Sequence, residues 1–145
     1  MARIVLHYFK GIGGRCELIR LLLAYGKIPH ENVLIPFEEF PKYKKDYPNG
    51  QLPVLCVDGD LLTDSQAIGR YFARQLNLTG SNDWEAAKAD SFVGLMEDGL
   101  KIVLKDRHKK ILNGQGQEVA AEIREILRPI HVRIDDHLKR SGGQH

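Results

Sequence analysis

In the stretch Asn49-Gly50-Gln51-Leu52-Pro53-Val54-Leu55-Cys56-Val57-Asp58-Gly59-Asp60-Leu61-Leu62-Thr63-Asp64-Ser65, a turn leads through a proline into a strand. A tight hairpin follows, and then a polar pair opens a helix. Residues 54–57 are apolar and partly β-branched, the composition of a strand buried on both faces. Asp58-Gly59 reads as a two-residue hairpin turn, because glycine accepts positive φ and aspartate visits the left-handed region more readily than most residues. Residues 60–63 therefore return antiparallel beside the first strand. Pro53 has no N–H and belongs at a strand start, next to an edge or a ligand. With a cis Leu52-Pro53 bond, the main-chain groups of Leu52 would face outward, free to pair with an extended, peptide-like guest. Asp64 and Ser65 stand at a helix N-terminus, where a hydroxyl and unpaired N–H groups receive a carboxylate. Their plain alternative use is as a helix cap.

Upstream, residues 3–9 read as a strand and Gly11-Ile12-Gly13-Gly14 as a turn. A helix over residues 15–25 follows, with Leu18, Leu22 and Tyr25 at helical spacing and Gly26 as its stop. The third glycine of a dinucleotide fingerprint would fall on Cys16, which excludes that motif. Residues 30–35 form a second strand, so strand-helix-strand implies a parallel pair. Residues 36–48 read as a loop with one helical turn. After the hairpin, a helix over 65–76 carries Ile68, Tyr71, Phe72 and Leu76 on one face. The expected fold is an α/β domain, βαβ then ββα, over residues 1–78. Beyond a polar linker, residues 83–145 form an all-α part of two long helices. Asn82 with Glu85 reads as a capping box. Phe92, Leu95, Met96, Gly99, Ile102 and Val103 make an apolar stripe on the first helix, which Asn113-Gly114-Gln115-Gly116 ends. The second covers 117–140, with Pro129 expected to kink it.

Of the 145 residues, 43% are hydrophobic, enough for one good core or two small ones. A net charge of +2 gives no pull toward nucleic acid or an anionic membrane, and the basic runs at 42–45 and 105–110 read as solvated helix faces. No apolar run reaches the roughly 18 residues of a membrane span, and the start is too short for a signal peptide. Two cysteines without C-x-x-C spacing argue against a zinc site or disulfide scaffold and for a reducing, cytoplasmic setting. His7, His30, His108, His131 and His137 show no metal-ligand spacing.

Tyr8-Phe9 closing a strand, Arg15-x-Glu17 at the first helix, Gly50-Gln51-Leu52-Pro53 before a strand and Asp64-Ser65-x-Ala67-Ile68 opening a helix together resemble the glutathione transferases. The resemblance is strongest to the sigma class, which includes the haematopoietic prostaglandin D synthase type. It covers residues 2–76 well and 83–140 through helix lengths. It implies a thioredoxin-like N-terminal domain, a cis Pro53 and glutathione as co-substrate without a metal. Tyr8 would donate its hydroxyl to the glutathione sulfur, and Arg15 matches the arginine near that sulfur. Leu52 would pair main chain to main chain with the cysteinyl unit. Asp64 and Ser65 would hold the γ-glutamyl end, while Phe40, Lys44 and Gln51 would face the glycyl end. Asp98 matches an acidic residue that reaches the partner subunit's glutathione, which implies a homodimer. The implied second substrate is a small hydrophobic electrophile.

The chain departs from the family pattern at four places. Asp64 replaces the usual glutamine, Phe40 replaces a tryptophan, and the glycine turn is one residue longer. The family's helical domain also continues for several more helices, so the two helices here are expected to leave an apolar patch for a covering partner. Two further readings stand beside a transferase: a non-catalytic glutathione-binding protein, and a thiol-disulfide reductase resting on Cys16. Cys16 and Cys56 otherwise read as packing residues.

Overall fold

Alternation along β1 (Ile4–Phe9) sends Leu6 and Tyr8 to one face of a sheet and Val5, His7 and Phe9 to the other. The computed structural model describes residues 2–112, 114 and 116–140. They form two compact units, Met1–Thr79 and Gly80–His145. In the first, β2 (Glu31–Ile35) runs parallel to β1, with Leu34 beside Tyr8. The connection is α1 (Glu17–Tyr25), as parallel pairing demands a crossover. β3 (Val54–Val57) lies antiparallel on the other side of β1, and the Asp58-Gly59 turn returns the chain as β4 (Asp60–Thr63). Both turn residues have positive φ, 52° and 99°. The sheet order is β2-β1-β3-β4.

The core lies between one face of this sheet and two helices, α1 and α3 (Ser65–Gln75). Leu6 and Tyr8 from β1, Leu55 from β3, Cys16, Ile19 and Leu23 beside or within α1, and Ile68 and Phe72 from α3 form one cluster. Two expectations shift here. The buried side of α1 is Ile19 and Leu23, while Leu18 and Tyr25 are exposed and Leu22 is half-buried. β3 is fully buried only at Val54 and Leu55, because Cys56 and Val57 reach the outer end of the hairpin. Gly26 follows α1 with an ordinary negative φ. Its small size matters instead through close approach, since a Cβ there would stand 2.5 Å from Leu76 Cδ2.

The second unit holds α4 (Asp83–Leu112) and α5 (Gly116–Arg140), which pack on each other. At the start of α4, Asn82 Oδ1 accepts the Glu85 N–H at 3.0 Å. Glu85 Oε2 takes the N–H and hydroxyl of Ser81 at 2.7 and 2.8 Å, one residue earlier than a capping box requires. α5 buries Val119 and Ile130, runs through Pro129, and sets His137 against the Phe92 ring at 4.6 Å. The side-chain expectations for Ile102, Val103, the charged run at 105–110 with His108, and the stop at Asn113 and Gln115 lie outside the described residues. Among the described residues no helix is long and apolar enough to cross a membrane.

Candidate active site

Aromatic residues, placed without helical period, fold the segment between β2 and β3 onto the sheet. Residues 36–48, expected as a loop with one helical turn, hold that turn as a four-residue helix, α2 (Phe40–Tyr43), with 3₁₀ turns at Phe37–Glu39, Lys44–Asp46 and Pro48–Gly50 around it. The Phe9 ring packs against Phe37 and Phe40 at 5.2 and 5.1 Å, and Phe40 continues to Tyr47 at 6.2 Å. Tyr47 meets His7 edge-on, their Oη and Nδ1 atoms 2.9 Å apart. Such ring pairs contribute about 0.5–1.5 kcal/mol each beyond their burial. They hold the segment so that a crevice of about 390 Å³ opens where β1 ends and β3 begins.

The crevice gathers Arg15, Phe40, Gln51, Leu52, Pro53, Asp64 and Ser65. All were named from the sequence. Phe9, Asn49, Gly50 and Thr63 also line it, and site reasoning missed them. Asn49 Nδ2 donates to Thr63 Oγ1 at 3.3 Å, tying the turn to the end of β4. The Asn49-Gly50 dipeptide was the available signal, since both residues take positive φ, as turn-forming Asn and Gly do. Lys44 does not line the crevice. Its side chain folds over Gly50, with Cε 3.0 Å from where a Cβ would stand. Asp98 belongs to the second unit, exposed on α4 and 3.4 Å from Lys101 Nζ.

The Leu52-Pro53 bond is cis. Among the described residues neither the amide nor the carbonyl of Leu52 has a hydrogen-bond partner. Asp64 caps α3: its Oδ1 accepts the N–H groups of Gln66 and Ala67, both at 3.0 Å, and its carbonyl accepts Ile68 N–H. Of the first turn, this leaves the Ser65 amide and hydroxyl unpaired among the described residues. Asp64 sits at φ 72°, ψ 121°, an unusual backbone for a residue with a Cβ. Such conformations are retained where the surroundings hold a site in shape.

Tyr8 lies beside the crevice rather than in its lining, and only 5% of its surface is exposed. Its hydroxyl oxygen accepts the amide proton of Arg15 at 3.2 Å, so it stands one bond behind a crevice residue. With that oxygen already accepting, the phenol proton is the group left to donate. Burial raises the Tyr8 pKa above the usual phenol value, against the lowering effect of the Arg15 amide and the Arg15 and Arg20 charges. The group therefore stays a donor at neutral pH. The close fit depends on Gly14, whose φ is 46° and whose absent Cβ would stand 2.7 Å from the Tyr8 oxygen.

Cys16 is fully buried, and burial pushes its thiol up to about 11. A thiol that hard to ionise is a packing residue, not a nucleophile. Among the described residues no cluster of His, Cys, Asp or Glu is arranged to hold a metal.

Residues 13–80 match the family described as Glutathione S-transferase, N-terminal domain. A glutathione S-transferase of Anopheles gambiae is 41% identical over 98 residues, 67% of this chain and 48% of that protein. This chain thus spans about half the length of that relative. Glutathione S-transferase 3 of Caenorhabditis elegans is 32% identical over 140 residues, covering 96% of this chain and 67% of the relative. Among solved structures, prostaglandin synthase D of Nilaparvata lugens is 31% identical with a TM-score of 0.79, over 97% of this chain and 70% of that one. The sigma class transferase of Fasciola hepatica is 29% identical with a TM-score of 0.76, over 99% and 70%. With the four-stranded sheet, the cis proline and the capped crevice already in place, these similarities show that the chain belongs to the glutathione S-transferase family.

Proposed function

We propose that the chain binds glutathione along Leu52-Pro53 and ionises its thiol with the Tyr8 hydroxyl for attack on a small hydrophobic electrophile. The observation that carries this reading is Tyr8 itself, buried, protonated at neutral pH, and accepting one hydrogen bond so that its proton is left to point elsewhere. A thiolate takes that proton as a hydrogen bond and is stabilised by it. The unpaired Leu52 amide and carbonyl pair with the cysteinyl unit of the tripeptide in strand fashion. The Ser65 amide and hydroxyl receive the γ-glutamyl carboxylate at the positive end of α3. Asp64, with one carboxylate oxygen outside the cap bonds, takes the γ-glutamyl ammonium. Phe40 and Gln51 face the glycyl end from the crevice lining, Lys44 serves that end from outside the lining, where its side chain lies over Gly50, and Arg15 adds positive field near the sulfur. Asp98 reaches the glutathione of a partner subunit in a homodimer. The same thiolate serves peroxide reduction or isomerisation of a prostaglandin endoperoxide, and for the second of these some relatives named prostaglandin D synthase give support. A reducing cytoplasm suits two free cysteines.

The test is glutathione binding by calorimetry on the purified chain, with conjugation of chlorodinitrobenzene measured in parallel. Binding with turnover supports the reading. Tight binding without turnover favours a non-catalytic glutathione-binding protein, and no binding removes both. Two substitutions separate the roles of Asp64. Asp64→Asn keeps the cap, since asparagine caps as well as aspartate and tolerates positive φ. It loses the charge opposite the ammonium, so KM for glutathione rises about 5- to 30-fold with kcat nearly unchanged. Asp64→Ala also loses the cap, about 0.5–2 kcal/mol, and lowers Tm as well. Equal KM in wild type and Asp64→Asn would assign Asp64 to the cap alone.

A further inference from the structure

Arg20 is the half-buried cation of α1, and it does not line the glutathione crevice. Its Nη1 donates to the Ile12 carbonyl at 3.1 Å and to Glu17 Oε2 at 3.2 Å. Its guanidinium carbon lies 5.6 Å from the centre of the Tyr8 ring. Ile12 stands in the middle of the Gly11–Gly14 turn, which has little side-chain mass of its own to fix it. That turn delivers the Arg15 amide to the Tyr8 oxygen. One side chain therefore grips both the segment that supplies the donor and the ring that bears the acceptor.

We propose that Arg20 is a positioning residue for Tyr8: it fixes the glycine turn through the Ile12 carbonyl and sets a positive charge over the phenol face, which keeps the hydroxyl aimed and strongly donating. A cation over an aromatic face is attracted by the ring and draws electron density from it. A phenol under that field gives a stronger hydrogen bond to an anion than one without it. Glu17 shares Nη1 and offsets part of the charge, so the pair sets the field between them. The other charged or titratable groups acting on the phenol are Arg15 and Cys16, from the turn leading into α1. Leu55, Ile68 and Phe72, in the same core cluster from β3 and α3, are uncharged.

This inference rests on Tyr8 being the thiolate's hydrogen-bond donor, but its first readout does not need turnover. Among the five tyrosines, Tyr8 is isolated as the ultraviolet phenolate titration that Tyr8→Phe removes. In Arg20→Met that titration moves to higher pH, and in Glu17→Gln it moves to lower pH. A structural role for Arg20 alone does not give shifts of opposite sign. In conjugation assays, Arg20→Met lowers kcat/KM at pH 6.5 about tenfold, with KM for glutathione unchanged and the difference closing above pH 9. Arg20→Lys, which restores the charge but not the planar fork, recovers part of the loss. If Arg20→Met fails to fold, Arg20→Lys and Glu17→Gln still give the titration. Unmoved Tyr8 titration in the folded variants overturns the role of Arg20. Shifted titration with no turnover in wild type leaves that role standing and removes the transferase reading instead.

Discussion

Tyr8→Phe lowers the glutathione conjugation rate at pH 6.5 by about 10- to 60-fold and leaves KM for glutathione within about twofold. The range follows from the bond that is lost, because a hydrogen bond to a charged group contributes about 1.5–3 kcal/mol and each 1.36 kcal/mol is about tenfold. A free thiol with a pKa near ~8.5 is only about 1% ionised at pH 6.5, so the first unit of lowering raises the reactive fraction nearly tenfold and the second about fivefold more, which holds the upper end of the range near ~60-fold. The phenol is suited to this because burial keeps it protonated while the Arg15 amide occupies its oxygen. The pH profile carries the sign of the argument. At pH well above the free thiol value the sulfur ionises without help, so variant and wild type converge. Direct titration of the bound thiol by its thiolate absorbance should show its pKa moving up in the variant. An unchanged rate at pH 6.5 removes Tyr8 from the chemistry, and a loss that persists undiminished at pH 9.5 assigns it to folding or binding instead.

The second large effect is on stability. Phe72→Ala costs about 3–5 kcal/mol, the usual range for truncating a fully buried aromatic side chain. Phe72 has no exposed surface and lies in the cluster that joins α3 to β1 and α1. The ring cannot be replaced by movement of one neighbour, because Leu6, Ile19, Leu55 and Ile68 are themselves fully buried. For a unit of this size, a loss of that magnitude lowers Tm by more than about 12 °C. Leu61→Ala, at a half-exposed position in β4, is the matched control and should change stability by less than about 1 kcal/mol. Denaturant unfolding gives both values. A comparable loss at the two positions contradicts the packing described.

The hairpin and the helix after it were legible because each depends on local chemistry. Asp58-Gly59 needs two positive φ values in two residues, and Asp64 needs a side chain that reaches its own following amides. The Leu18-Ile19-x-Leu21-Leu22-Leu23 run was less informative, since apolar residues on almost every side allow several stripes at helical spacing. Tertiary contact with Leu6, Leu55 and Phe72 selects Ile19 and Leu23, and no period in the sequence encodes that choice. Residues 36–48 were legible only as a loop with one helical turn, and the 3₁₀ turns around that helix were not, for the opposite reason. The rings at 37, 40 and 47 anchor short turns that have no period at all. At the site, the motif residues converge on one crevice. The supports around them, Asn49 to Thr63 and Arg20 to Ile12, are pairings across distant or irregular backbone that no motif carries.

Because Gly14 leaves less room above the Tyr8 oxygen than a methyl group fills, positions 8 and 14 form a coupled pair. Any side chain at 14 meets two separate penalties, a left-handed backbone and a collision with oxygen. Deleting that oxygen lifts only the collision. Gly14→Ala should therefore destabilise the chain less beside phenylalanine at 8 than beside tyrosine. Along this route, a mutational path that first loses the hydroxyl lets the turn accept a methyl group, and that methyl then obstructs the return of tyrosine.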